Sequence, residues 1–194
     1  MAKLNRDNQK GFTIVELVVV IIILGILAAT ALPRFIDVSE DAHGSVVDGV
    51  RGALATSVGN GRALWIAGGK AASYSMDGTT LYANTTLGYP RSITAASGSG
   101  MVTGECDDLF TKLLGANAPA VIAVADTTGA VKSVVAAAFS APTDWYGGLN
   151  HATPGSATGC SWAYAGRGVA TGTTLTVLTY NASTGEITSG TETI

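Results

Sequence analysis

The side chains of this 194-residue chain that could do chemistry are few. Two histidines are present: His43 falls in an amphipathic stretch, and His151 in a Gly-rich, Pro-containing loop. Both read as solvated side chains rather than general bases. No G-x-S-x-G elbow, H-E-x-x-H helix or Walker loop occurs, and Gly98-Ser99-Gly100 lacks the third glycine of a dinucleotide fingerprint. Neither Cys106 nor Cys160 has a Cys or His partner at zinc spacing. Asp107-Asp108, beside Cys106, reads as a helix start rather than a calcium cage. No catalytic residue, metal or cofactor is therefore expected. The carboxylate in an unusual place is Glu16, which stands directly before Leu17–Ala29 (LVVVIIILGILAA), a run with no charged residue. A charge carried into a bilayer costs about 2.5–3.5 kcal/mol on insertion scales and less near the interface, so its presence there points to a function.

The element that positions Glu16 is the apolar run itself. From Phe12 to Leu32 the chain has 21 residues and a single charge; at about 1.5 Å per residue a helix of that length spans roughly 30 Å, the hydrocarbon thickness of a bilayer. Lys3, Arg6 and Lys10 precede it, while Asp37, Glu40, Asp41 and Asp48 follow, with Arg34 a small counterweight. That bias places the N-terminus inside. An ordinary secretory signal peptide is the alternative, with Ala29-Thr30-Ala31 as an A-x-A exit. Glu16 at the head of the run and Pro33 just past the supposed cut argue against it.

Beyond Pro33, Phe35, Val38, Ala42, Val46, Val50, Leu54 and Val58 recur every three or four residues, and Asp37, Glu40, Asp41, Asp48, Arg51 and Ser57 fill the other face. This is an amphipathic helix. Read from Phe12 to about Ala67 the whole helix would be roughly 80 Å long, half of it outside a folded domain. Pro33 removes a backbone donor, Gly25 weakens the segment above it, and fraying is expected near Gly59, since each helical glycine costs about 1 kcal/mol relative to alanine. From Gly68 on, short β-like segments alternate with turns. Ala120–Ala125 and Ala130–Phe139 flank Asp126-Thr127-Thr128-Gly129 as one hairpin; Leu175–Tyr180 and Glu186–Thr188 flank Asn181–Gly185 as a second. Cys160–Tyr164 reads as a further strand and Glu105–Leu114 as a short amphipathic helix. The fold class expected is α+β: a long N-terminal helix, its apolar half exposed as a stem and its amphipathic half covered by an antiparallel sheet.

Composition agrees. Hydrophobic residues make up 47% and charged residues 13%, against about 25% charged in an ordinary soluble domain. With Lys3, Arg6, Lys10 and Asp7 set aside, 8 basic residues face 13 acidic ones from Phe12 on. Nucleic-acid binding by bulk charge is unfavourable. Asn84-Thr85-Thr86 and Asn181-Ala182-Ser183 match the glycosylation triplet and are assigned no role.

Gly11-Phe12-Thr13-Ile14-Val15-Glu16-Leu17, followed by the apolar run, Gly25 and Pro33, resembles the N-terminus of a type IV prepilin. RFIDVSEDAHGSVVDGVRGA after the run and LTYNASTGEIT near the end are similar to the mannose-sensitive haemagglutinin (MSHA) type IVa pilins. The resemblance implies a leader, residues 1–11, cut between Gly11 and Phe12 by a prepilin peptidase on the cytoplasmic side, with methylation of the Phe12 amine. It implies a transmembrane and assembly segment at 12–33, a globular head at 34–194, and intersubunit contact between Glu16 and the Phe12 amine. The stretch from Gly25 to Pro33 would melt as the subunit enters the filament. The cysteine pair carries over as a Cys106–Cys160 bridge, which needs an oxidising compartment and would close a loop of about 55 residues with roughly 4 kcal/mol of stabilisation; free buried thiols are the alternative. The implied protein is a structural one: a subunit that waits in the inner membrane, meets the pilus assembly machinery, and polymerises with itself into a surface filament for adhesion, biofilm attachment or motility. A type II secretion pseudopilin, sharing the sequence up to about Pro33, is the alternative; a secreted domain behind a signal peptide is the second.

Overall fold

The computed structural model describes residues 12–95, 101, 105–123, 145–150, 159–166 and 174–193. Two units divide the chain, Met1–Gly44 and Ser45–Ile194, and α1 (Ile14–Ala67) runs through both. In the first unit the large apolar side chains from Phe12 to Leu27 are all exposed, and the window Ile14–Ala31, with mean hydropathy 2.9, buries nothing. It is long and apolar enough to cross a membrane. Thr30 donates its hydroxyl to the Ile26 and Leu27 carbonyls, hiding the one polar group near its end inside the helix. The backbone remains α-helical through Gly25 and across Pro33.

In the second unit α1 buries Val47, Leu54, Val58, Gly61 and Trp65, with Val50 packed against them. The expected stripe holds at Leu54 and Val58 and is corrected at its N-terminal end. Val38 is 65% exposed and Val46 is 46% exposed, whereas Val47 is 5% exposed. Stepping back seven residues from Leu54 keeps almost the same helix phase, and stepping back eight overshoots it, so Val47 takes the inner place. Ser57, expected on the wet face, is partly buried and donates to the Leu113 carbonyl. Nor does the helix fray at Gly59: the next turns are held by Trp65, whose indole N–H donates to Ala71 O at 2.7 Å. Gly68 and Lys70 N–H groups close the end on Leu64 and Trp65 carbonyls, with Gly69 and Lys70 both at positive φ.

An antiparallel three-stranded sheet follows: β1 (Ser73–Met76), β2 (Thr79–Ala83) and β3 (Pro90–Ser92). Asp77-Gly78, both at positive φ, joins β1 to β2 as a two-residue hairpin turn. After α2 (Cys106–Leu114) and a 3-10 turn at Gly115–Asn117 comes a five-stranded sheet. Its strands are β4 (Val121–Ala123), β5 (Trp145–Asn150), β6 (Gly159–Tyr164), β7 (Thr174–Asn181) and β8 (Ile187–Thr193), in that spatial order. Neighbours are antiparallel apart from β4 and β5, which run parallel. The hairpin expected at 181–185 joins β7 to β8. Of the other expected hairpin, β4 realises the first arm, and residues 124–144 lie outside the described residues. The core is aromatic: Phe110 sits 5.6 Å from Trp145 and 5.2 Å from Trp162 between ring centroids, and Trp162 stacks on Tyr180 at 6.5 Å. The fold is α+β, as the hydrophobic patterning required.

Candidate functional site

At the start of α1, Thr13 and Glu16 form a closed hydrogen-bonded pair. The Thr13 N–H and the Thr13 hydroxyl each donate to Glu16 Oε2 at 2.9 Å, and the Glu16 N–H lies 3.2 Å from Thr13 Oγ1. This is a capping box: a threonine at the helix start and a glutamate three residues on satisfy each other's orphan groups. Glu16 thus has a partner within its own chain, and that partner is Thr13. The T-x-x-E spacing that announces such a box is present in the sequence, and Thr13 is the capping partner not singled out there. Phe12, 84% exposed, precedes the box; Gly11 lies outside the described residues. Where the carboxylate sits matters for its chemistry. It is held at the very tip of an uncovered apolar helix, on the positive end of the helix dipole, with one oxygen engaged by Thr13.

Gly25 has nothing within 4 Å of where a Cβ would stand. Among the described residues no packing demands a glycine there. Cys106 and Cys160 are bridged, with Cα atoms 5.5 Å apart; the bond ties the first residue of α2 to β6. Around it, Met101 Sδ stands 4.0 Å from Cys160 Sγ, and the Trp162 indole N–H donates to the Cys106 carbonyl at 2.9 Å. Beside the bridge, the buried Glu105 carboxylate accepts from Ser92 Oγ at 2.6 Å, from the Ile93 N–H and from the Thr94 hydroxyl. Burial pushes the Asp107 carboxyl above its usual range, against the hydrogen bonds from its own and the Asp108 N–H groups.

Among the described residues no group of three His, Cys, Asp or Glu side chains could hold a metal ion. His43 is partly buried on α1, and His151 lies outside the described residues. The two asparagines of the glycosylation triplets build turns. Asn84 Oδ1 accepts from the Thr86 and Leu87 N–H groups, and Asn181 Oδ1 from the Ser183 N–H. In each case a glycine four residues on, Gly88 or Gly185, returns its N–H to the asparagine carbonyl at 2.7 Å.

An apolar N-terminal helix that its own chain leaves uncovered, tipped by a capped carboxylate and leading into an α+β head, defines the class of arrangement. The family model for the prokaryotic N-terminal methylation motif matches residues 6–32. A fimbrial protein of Dichelobacter nodosus is 33% identical over 124 residues, covering 55% of this chain and 78% of its own length. The type IV narrow pilus major component of Thermus thermophilus is 47% identical over 47 residues (24% of this chain, 40% of that protein), and a fimbrial protein of Moraxella nonliquefaciens 46% identical over 60 residues (29% and 39%). The chain thus spans about two fifths of the length of the latter two relatives. No solved structure matches it. The chain belongs to the type IV pilin family.

Proposed function

We propose that this protein is a structural subunit of a type IV pilus, held in the inner membrane and polymerised with copies of itself into a surface filament. The observation that carries this reading is the Ile14–Ala31 helix, apolar apart from its capped carboxylate and the Thr30 hydroxyl turned onto its own backbone, with none of that window buried. Left in water, such a surface would aggregate. Lipid covers it before assembly, and the helices of neighbouring subunits cover it afterwards, an exchange between equally apolar surroundings.

Residues 1–11 are the leader, 12–33 the membrane and assembly segment, and 34–194 the head. A prepilin peptidase cuts between Gly11 and Phe12, and the new Phe12 amine is methylated. That amine and Glu16 of an incoming subunit neutralise one another and set the axial register; the capping box holds the carboxylate at the helix tip until they meet. Gly25, whose Cβ position is open, and Pro33, which has no amide hydrogen, let the helix between them unwind as it packs. The inner-membrane assembly machinery is the partner in that step. MSHA-like adhesion to surfaces is the finer reading, supported by the 34–53 and 178–188 stretches. The experiment is electron microscopy of filaments sheared from the surface, with mass spectrometry of their subunit. Filaments built of this chain beginning at methylated Phe12 are expected. A mature chain starting at Leu32, released as a soluble domain, would overturn the reading.

A further inference from the structure

We propose that the Thr30 hydroxyl sets how readily α1 opens between Gly25 and Pro33, which makes Thr30 a positioning residue for packing the stem; the link to packing rests on the assembly reading above. From Phe12 to Ala31 only Thr13, Glu16 and Thr30 have side chains that hydrogen-bond. Thr13 and Glu16 answer each other at the tip. Thr30 is exposed, yet its hydroxyl turns back along the helix and donates to Leu27 O at 3.0 Å and to Ile26 O at 3.3 Å. In an α-helix those two carbonyls also take the main-chain N–H groups of Ala31 and Thr30. A hydroxyl shared in this way weakens the main-chain bonds and bends a helix. Its place in the chain adds to the effect. Pro33, three residues on, has no amide hydrogen to offer the Ala29 carbonyl, and Gly25, five residues back, is a poor helix former with nothing within 4 Å of its Cβ position. Three weak links thus fall within one short stretch of an otherwise aliphatic stem. Opening that stretch in lipid or in a dry helix bundle strips the Ile26 and Leu27 carbonyls of their amides, where no water replaces them. A threonine hydroxyl already resting on both carbonyls can stay with one of them as the amides leave. Valine has the same shape and no donor, so it holds the stretch shut.

Full-length protein in detergent micelles, compared as wild type, Thr30→Val and Thr30→Ser, tests the hydroxyl directly. Amide hydrogen exchange over residues 26–31 should slow about tenfold in Thr30→Val, the equilibrium weight of one hydrogen bond, while Val18–Ile23 and the head keep wild-type rates. Thr30→Ser, which keeps the hydroxyl, should exchange as wild type does. In cells, Thr30→Val should be inserted and cut at Gly11 yet give several-fold fewer pili, with Thr30→Ser near the wild-type number. Exchange in Thr30→Val that is unchanged or faster, or equal shifts in Thr30→Val and Thr30→Ser, would overturn the proposal. So would slowed exchange in Thr30→Val with a normal pilus count. Wild-type cells that build no filaments of this chain would overturn the pilus reading itself, a result on which the exchange rates do not depend.

Discussion

Gly185 and Gly52 show how differently the same residue type acts. Gly185 closes the β7–β8 turn at φ 74, and a Cβ there would drive into the Tyr89 ring. Gly52 lies on the exposed face of α1 with nothing within 4 Å of its Cβ position. Thermal unfolding should therefore show Gly185→Ala destabilised by about 1–3 kcal/mol from backbone strain alone, and Gly52→Ala stabilised by up to about 1 kcal/mol. Equal shifts of one sign would contradict the structure. Tyr180 gives a prediction with a pH axis. Fully buried, it donates to Pro90 O at 2.6 Å and ties the five-stranded sheet to the three-stranded one. Burial pushes its hydroxyl well above 10.0, with the nearby Tyr74 and Tyr89 adding to the effect. The unfolded chain loses that proton near pH 10 and the folded one keeps it, so the folded state binds more protons and stability falls as pH rises above about 10. Tyr180→Phe should cost about 1–3 kcal/mol near neutrality, where the Pro90 carbonyl loses its donor. It should also flatten the alkaline slope, read by unfolding titrations at pH 8 and pH 11. An unchanged slope would show that Tyr180 does not carry it.

At the scale of elements, what the sequence disclosed and what it hid have separate physical causes. The apolar run, α2 and the β7–β8 hairpin were legible because each carries its own signal: length, 3.6-residue spacing, or alternation around Asn181–Gly185. The inner face of α1 was legible only in phase. A choice between Val46 and Val47 depends on a few tens of degrees of helix rotation, which the packing of Trp65, and of Tyr74 against Gly61, settles. The β1–β2 hairpin had a clear announcement in Asp77-Gly78, but its flanking strands are short, and Ser-Tyr-Ser-Met and Thr-Thr-Leu-Tyr-Ala carry little hydrophobic contrast. The capping box was likewise written as T-x-x-E, masked by the stronger meaning of a carboxylate beside an apolar run. Leu54, fully buried where α1 meets the core, tests the register directly: Leu54→Ala should cost about 2–5 kcal/mol in chemical denaturation, and Val46→Ala well under 1 kcal/mol. Comparable losses at the two positions would put the wrong face of α1 inside.

For the whole molecule, the two units serve opposite needs. The head hides its apolar groups and is closed by a bridge. Cys106→Ser should destabilise it by roughly 2–5 kcal/mol, seen as a lowered denaturation midpoint, because the unfolded chain loses its constraint; a stability within 0.5 kcal/mol of wild type, on the order of a neutral surface change, would show that the bridge carries no weight. The stem does the reverse and leaves its apolar groups exposed. At its tip, Glu16 is satisfied by Thr13 in a single chain, while the assembly proposed above has that carboxylate meet the amine of a neighbouring Phe12. The most direct measurement of the central claim is a count of surface filaments by electron microscopy in cells whose only copy of this subunit carries Glu16→Ala. The account predicts a protein that is inserted, cut at Gly11, methylated at Phe12 and folded with its Cys106–Cys160 bridge, yet few or no pili. Pili of normal number and length built purely from that variant would contradict it.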